Sequence, residues 1–454
     1  MAQRTLIRGA TVITMDAQGD LPKADILVTG DTLTAIAPSL AVDGAKVVDA
    51  TGCIVIPGLI NAHMHTWQTA LRGVAANWTL LQYFQNMHAG LATAFTPDDL
   101  HIATLVGALN QLNCGTTTLV DWCHNNPTPA HNDAAVTALL ASGIRAAFFH
   151  GTPKPDPKPG QTPFWEVPHP RAEVERLMKA HQGKPLLSVH AAVLGPHYST
   201  LDVAIHDFRM AQELGIIASL HQGGGPARTP DGWERLEELG LLGSNVNIVH
   251  GHALSDEQLK RFCDLGMSFS AAAESEMSQG HGHPLTGRLR ALGHAPSLGV
   301  DLESVMSGDM ISQARIALGI QRSLDNVAYR AEHGSIPPTS TVTTREALSW
   351  ITVEGARMLG MRDRIGSLAP GKQADLVMIR ADELNMQPVH DPVSAVVFQA
   401  SLANIDSVMV AGQWAKREGR LLGVHLPPLL NALRASGAKI TRAMGLGAST
   451  GVAA

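Results

Sequence analysis

Apolar and polar positions change rhythm twice along the chain. Over residues 1–57, short apolar runs at 5–14, 25–28, 33–37 and 47–56 are separated by turn residues such as Gly30-Asp31 and Thr51-Gly52, which predicts strands and no helix. From residue 58 to 364, short apolar runs alternate with longer segments of helical period. That alternation predicts parallel strands joined by right-handed crossovers. Strands are expected at 54–61, 116–121, 144–150, 186–193, 216–221, 246–250, 267–271 and 297–301, with helices at 97–112, 133–141, 171–181, 202–214 and 255–263 among those between them. Strands return at 375–380, 395–398 and 405–410, with Ala411-Gly412-Gln413 as a hairpin turn. Residues 426–454 read as a terminal helix followed by a loose Gly/Ala tail.

The pattern is that of an α/β protein: a (β/α)8 TIM-like barrel over 58–364, with a small β-sandwich domain formed from both chain ends, 1–57 plus 365–425. In a barrel the active site lies at the C-terminal ends of the strands, and here many of those ends carry His, Asp or Glu. A doubly wound open sheet would call for a Gly-rich phosphate turn after an early strand; Gly223-Gly224-Gly225 follows the fifth instead.

Composition narrows the partners. With 45% hydrophobic and 16% charged residues and a net charge of −6, the chain is an ordinary globular protein with no leaning towards nucleic acid. The N-terminus lacks the apolar core of a signal peptide or membrane span, so no membrane association and a cytoplasmic location are expected. Cys53, Cys114, Cys123 and Cys263 show no CxxC spacing, which predicts reduced, buried thiols. The chain has 21 histidines against 3 tyrosines, so position has to select the histidines that do chemistry.

His63-Met64-His65 closes the apolar run 54–60. Alternate side chains of an extended strand face the same way, so both imidazoles can reach one ion. A lone HxH is weak; its meaning changes because His221, His250 and Asp301 end later strands. A further feature follows the third strand, where seven prolines between Pro153 and Pro170 predict a stiff loop at the barrel mouth. Phe164 and Trp165 could give that loop an apolar face towards a substrate.

The segments PGLINAHMH, SLHQG, IVHGH and SLGVD, with IGSLAPGKQADLVMI near the C-terminus, resemble the amidohydrolase superfamily. The resemblance spans nearly the whole chain and is strongest to the branch of cytosine deaminases and triazine chlorohydrolases and aminohydrolases. It implies one divalent ion per chain held by His63, His65, His221 and Asp301, with Zn2+ the expected occupant and Fe2+, Mn2+ or Co2+ suited to the same donors. Water at the open coordination position would be acidified to attack near neutral pH. Asp301 would carry its proton to the leaving group, and His250 would contact the ion or stabilise charge developing on the substrate. The fourth strand carries His190 and no lysine, whereas two-metal relatives bridge their ions with a carboxylated lysine there; one ion is therefore implied. A homo-oligomer is the family expectation.

One position departs from that branch. Its members commonly carry a glutamate three residues after the strand-five histidine, and His221-Gln222-Gly223-Gly224 has glycine there. Glu274 and Glu276 are candidates for the missing acid, and His197 resembles a substrate-contacting histidine. His124, His150, Trp67 and Gln68 are further candidates for substrate contact, with packing or capping as their ordinary alternative. His281 and His283 form a second pair without other ligands nearby in sequence, and Asp309 is expected to cap a helix. The function expected is hydrolysis of a C–N or similar leaving-group bond in a small polar or heteroaromatic molecule. Either an amide, urea or carbamate is cleaved, or a ring is deaminated or dechlorinated with a substitute acid. An inactive binding or assembly barrel is the rival, and such chains usually lose the ligands kept here.

Overall fold

The computed structural model describes residues 3–223 and 225–445. Gly224 and the Gly/Ala tail over 446–454 lie outside the described residues. Eight strands pair side by side in chain order: Leu59–Met64, Thr116–Cys123, Arg145–Gly151, Leu187–Val193, Ala218–Gln222, Val246–His250, Ser268–Ala271 and Ser297–Leu298. Every pairing is parallel, with helices such as Pro97–Asn113, Pro129–Ser142 and Leu201–Leu214 on the crossovers. The barrel closes where Met64 bridges to Asp301. There the Asp301 N–H donates to the His63 carbonyl at 2.9 Å and the His65 N–H donates to the Asp301 carbonyl at 2.8 Å. Glycine at 299 permits this approach, since a Cβ there would stand 2.4 Å from the His63 carbonyl oxygen.

Both chain ends build a separate nine-stranded sheet. At its centre Leu376–Arg380 runs antiparallel to Cys53–Pro57, with Leu376 opposite Pro57 and Arg380 opposite Cys53. Arg4–Val12, Leu21–Thr29 and Thr32–Ala37 extend one side, and Ile405–Val410, Gln413–Arg417 and Arg420–Leu421 the other. Ile7, Ile26, Val55, Leu376 and Met409 pack into a core of this sheet's own.

Two sequence expectations need correction. The expected strand 54–61 is two strands, because the chain leaves the end sheet at Pro57 and enters the barrel at Leu59. Gly58 makes the crossing, and a Cβ there would lie 2.1 Å from Thr117 Oγ1. The switch is invisible in an uninterrupted apolar run. The expected strand 395–398 is a helical turn, Ala395–Gln399, continuing the short helix Pro392–Ser394. Asp391 accepts the Ser394 N–H at 2.8 Å and Pro392 takes the first helical position, so helix-start chemistry outweighs the β-branched Val396 and Val397.

The two units are locked by a buried ion pair. Arg145, on the third barrel strand, donates from Nε to Asp375 Oδ2 at 3.1 Å and from Nη2 to Oδ1 at 3.0 Å. Arg145→Met strands the Asp375 carboxylate in the interior and should cost about 3–5 kcal/mol. Equilibrium urea unfolding checks this; a midpoint equal to the parent's would contradict it.

The C-terminal helix Leu426–Ala443 docks on Pro97–Asn113, where Ser436 Oγ donates to Asp99 Oδ1 at 2.7 Å and Lys439 pairs with the same carboxylate. All four cysteines are buried and unpaired. Among the described residues no helix is long and apolar enough to cross a membrane.

Candidate active site

His63 and His65 leave the first barrel strand on one side, His221 the fifth and His250 the end of the sixth, and Asp301 follows the eighth. His63 Nε2 lies 3.3 Å from His221 Nε2 and 3.3 Å from Asp301 Oδ1. His65 Nε2 lies 3.4 Å from the same oxygen, and His250 Nε2 is 4.0 Å from Asp301 Oδ2. Donors around a tetrahedral centre with bonds near 2.0–2.1 Å stand about 3.3 Å apart. The spacings of His63 to His221 and of His63 and His65 to Asp301 are of that order, and His63 belongs to two groups that could each hold a metal ion, His63-His221-His250 and His63-His65-Asp301.

Electrostatics point the same way. Burial pushes His63 down against the pull of Asp301, takes His65 down to about 3 and, with the charge of Lys154, lowers His221 strongly. Neutral imidazoles at His63 and His221 then meet Nε2 to Nε2 at 3.3 Å, an arrangement that a cation relieves. His65 Nδ1 sits 2.6 Å from the Trp122 carbonyl, so Nδ1 carries the hydrogen and Nε2 is free to ligate. Nδ1 of His63 and of His221 is buried without a partner among the described residues, leaving an ion at Nε2 to fix the tautomer. Burial would raise Asp301, yet its contact with His63 and the charge of His250 hold it well below the carboxylate range. The donor set fits a divalent ion.

His250 behaves differently. Burial pushes it down, but its Nδ1 contact with Glu276 Oε1 at 3.0 Å and the charge of Asp301 outweigh this and raise it. Glu276 also accepts the Ala272 N–H at 2.8 Å, and Ser275 Oγ donates to Asp301 Oδ2 at 2.7 Å. His250 and Asp301 hold φ values of 65° and 66°, a left-handed backbone that costs a side-chain-bearing residue about 1–3 kcal/mol. Such strain gathers where a side chain must be aimed.

The cluster opens into a cavity at the C-terminal ends of the strands. Of the residues expected to meet substrate, His124 lines it, stacked on His65 at 4.0 Å. Trp67 lies one layer behind, donating from Nε1 to His124 Nδ1 at 3.3 Å. Gln68 braces the wall by donating to the Tyr83 hydroxyl at 2.6 Å. His197 stands beside the cavity with Nδ1 3.3 Å from Gln222 Nε2. His150 pairs with His169 at 2.9 Å and borders a different groove.

Glu274 is taken by Gln313 at 2.6 Å and Glu276 by His250, and neither lines the cavity. His281 does line it, while His283 is exposed, so the pair does not act together. His190 bonds to Ser188 and Ile217, away from the cluster, and Asp309 accepts the Ile311 N–H at 3.0 Å as a helix cap. Phe164 and Trp165 do not face the cavity; Trp165 carries the Arg228 guanidinium 4.1 Å from its ring.

A family model described as "Amidohydrolase family" matches residues 54–415, which include every barrel strand and all five clustered residues. The chain belongs to the amidohydrolase family. It is 31% identical over 417 residues to 8-oxoguanine deaminase of Pseudomonas aeruginosa, covering 86% of this chain and 88% of that protein. It is 27% identical over 467 residues to 5-methylthioadenosine/S-adenosylhomocysteine deaminase of Symbiobacterium thermophilum, covering 97% and 100%. In fold it resembles the atrazine chlorohydrolase of Arthrobacter aurescens TC1, complexed with zinc, with a TM-score of 0.83, 22% identity, and 95% and 100% of the two chains covered. As an amidohydrolase the protein is a metal-dependent hydrolase acting on carbon–nitrogen bonds other than peptide bonds.

This amidohydrolase also has cavity residues that the sequence did not single out. Tyr83, Phe84 and His88 come from a segment between the first barrel strand and its helix, Tyr198 from the turn after the fourth strand, and Lys154 from the proline-rich loop. Tyr83 and His88 are buried with rings 5.2 Å apart, and His88 meets His124 at 4.5 Å. The 80–88 stretch shows no regular period, but its aromatic density in a chain with 3 tyrosines and 9 phenylalanines was a usable signal.

Proposed function

We propose that this amidohydrolase is a deaminase of aminated heteroaromatic molecules of nucleobase size, working with a single divalent ion, expected to be zinc. The observation that carries the reading is the His/Asp cluster at the floor of a cavity walled by the flat rings of Tyr83, Phe84, His88, His124 and Tyr198. The similarity to a purine-base deaminase supports the ring class.

In this reading His63, His65, His221 and Asp301 hold the ion, which supplies the Lewis acidity that makes water a nucleophile at neutral pH. Asp301 takes the proton of the attacking water and delivers it to the departing amine, so that water and ring amine give ring carbonyl and ammonia. His250, oriented from behind by Glu276, stabilises the charge that develops at the attacked carbon. His124, Tyr83 and Tyr198 hold the ring flat and exclude bulk water, and Trp67, Gln68 and His197 support that wall.

Ammonia release tests the proposal across aminated purines, pyrimidines and triazines, with ureas and primary amides in parallel. The glycine at 224 is the one feature favouring the second group. Turnover of at least one aminated ring is expected; ammonia from ureas or amides alone, or from nothing, contradicts the reading. On the best substrate, Glu276→Gln keeps the shape behind His250 but removes its charge. Activity should fall about 10–100-fold with metal content unchanged. Parent-like kcat would exclude the orienting role.

A further inference from the structure

We propose that Lys154 is the substrate-binding cation of this cavity, and that the substrate ring therefore carries a carbonyl or anionic oxygen in addition to its amine. The inference rests on the reading of a planar heteroaromatic substrate and narrows it to oxo-substituted rings. Lys154 lies just past the third barrel strand, between Pro153 and Pro155. A following proline confines a residue to extended backbone, and a preceding one has its own φ fixed, so the lysine is presented without a flexible tether.

Its side chain lines the same cavity as His221, His250 and Asp301. Nζ lies 5.8 Å from the Trp122 ring centre and 5.2 Å from that of Tyr198. Aromatic faces steady a cation but offer it no hydrogen-bond acceptor. Asp301 is the one carboxylate among the described residues lining the cavity, and it is engaged by His63, His65 and Ser275. The ammonium is thus half-buried without an acidic partner, and burial lowers its pKa to about 8. A ring oxygen turned away from the ion would supply the missing acceptor. A charge-assisted hydrogen bond of this kind changes affinity about 10- to 100-fold.

The test is calorimetric titration of the metal-loaded protein with urate, a planar oxo-purine anion with no amine to lose, and with unsubstituted purine, a planar ring with neither amine nor oxygen. Lys154→Met should weaken urate at least about tenfold relative to purine, and Lys154→Arg should recover most of the loss. Absence of urate binding in the parent, or equal weakening of both ligands in Lys154→Met, would overturn the assignment. The ammonia panel fails separately: selective loss of urate in a protein that deaminates no ring keeps Lys154 and removes the deaminase reading. Ring deamination with urate binding indifferent to Lys154→Met does the reverse.

Discussion

Asp301→Asn should reduce turnover by about 10⁴-fold while leaving a folded protein, because one carboxylate has two tasks in the proposed reaction. Its Oδ1 faces His63 and His65 at 3.3 and 3.4 Å, and among the described residues it is the one carboxylate lining the cavity, assigned in the proposed reaction to move a proton from water to the leaving amine. Loss of positioned acid–base catalysis alone accounts for about 10²–10⁴-fold, and weaker hold on the ion adds to it. Asparagine is the informative replacement. The residue stands at φ 66°, a conformation that Asn tolerates better than Ala, and the barrel is closed by the Asp301 backbone rather than its side chain. A kcat within tenfold of the parent, with circular dichroism unchanged, would refute the proton-carrying role.

His63→Ala should have the second large effect, on metal retention. His63 is fully buried, and its Nε2 is the one donor that sits 3.3 Å from both His221 Nε2 and Asp301 Oδ1. Without it the remaining donors no longer surround a common point. Metal affinity should fall by more than about 100-fold, exceeding the loss produced by changing a group that only orients a ligand. Competition with a chelator of known affinity measures this. Retention equal to the parent's would show that the ion, if present, is held elsewhere.

That these His and Asp side chains would cluster was legible because barrel geometry collects strand ends at one point. His63, His65, His221, His250 and Asp301 each end an apolar run, and the sheet brings them together whatever the loops do. The walls were not, because loop conformation decides them. Lys154 sits in the proline-rich loop expected at the barrel mouth, where Phe164 and Trp165 are the sequence's candidates to face a substrate, and Tyr83 and His88 occupy a segment with no period to place it. Trp67 and Gln68, next to the HxH pair in sequence, look like first contacts but turn back into the core, where Trp67 braces His124 and Gln68 braces Tyr83. Glu276 stands in sequence as a candidate proton donor to substrate, but its carboxylate contacts His250 at 3.0 Å and does not line the cavity. Between the end sheet and the barrel, the passage through Gly58 leaves no mark in the sequence pattern because both sides of it are equally apolar.

The claim beneath all of these expectations is that His63, His65, His221 and Asp301 hold one ion. Its most direct test is the metal-to-chain ratio of the wild-type protein, purified without chelators and measured by plasma mass spectrometry. About one divalent ion per chain is predicted, and a ratio below about 0.3 in correctly folded protein would contradict the account.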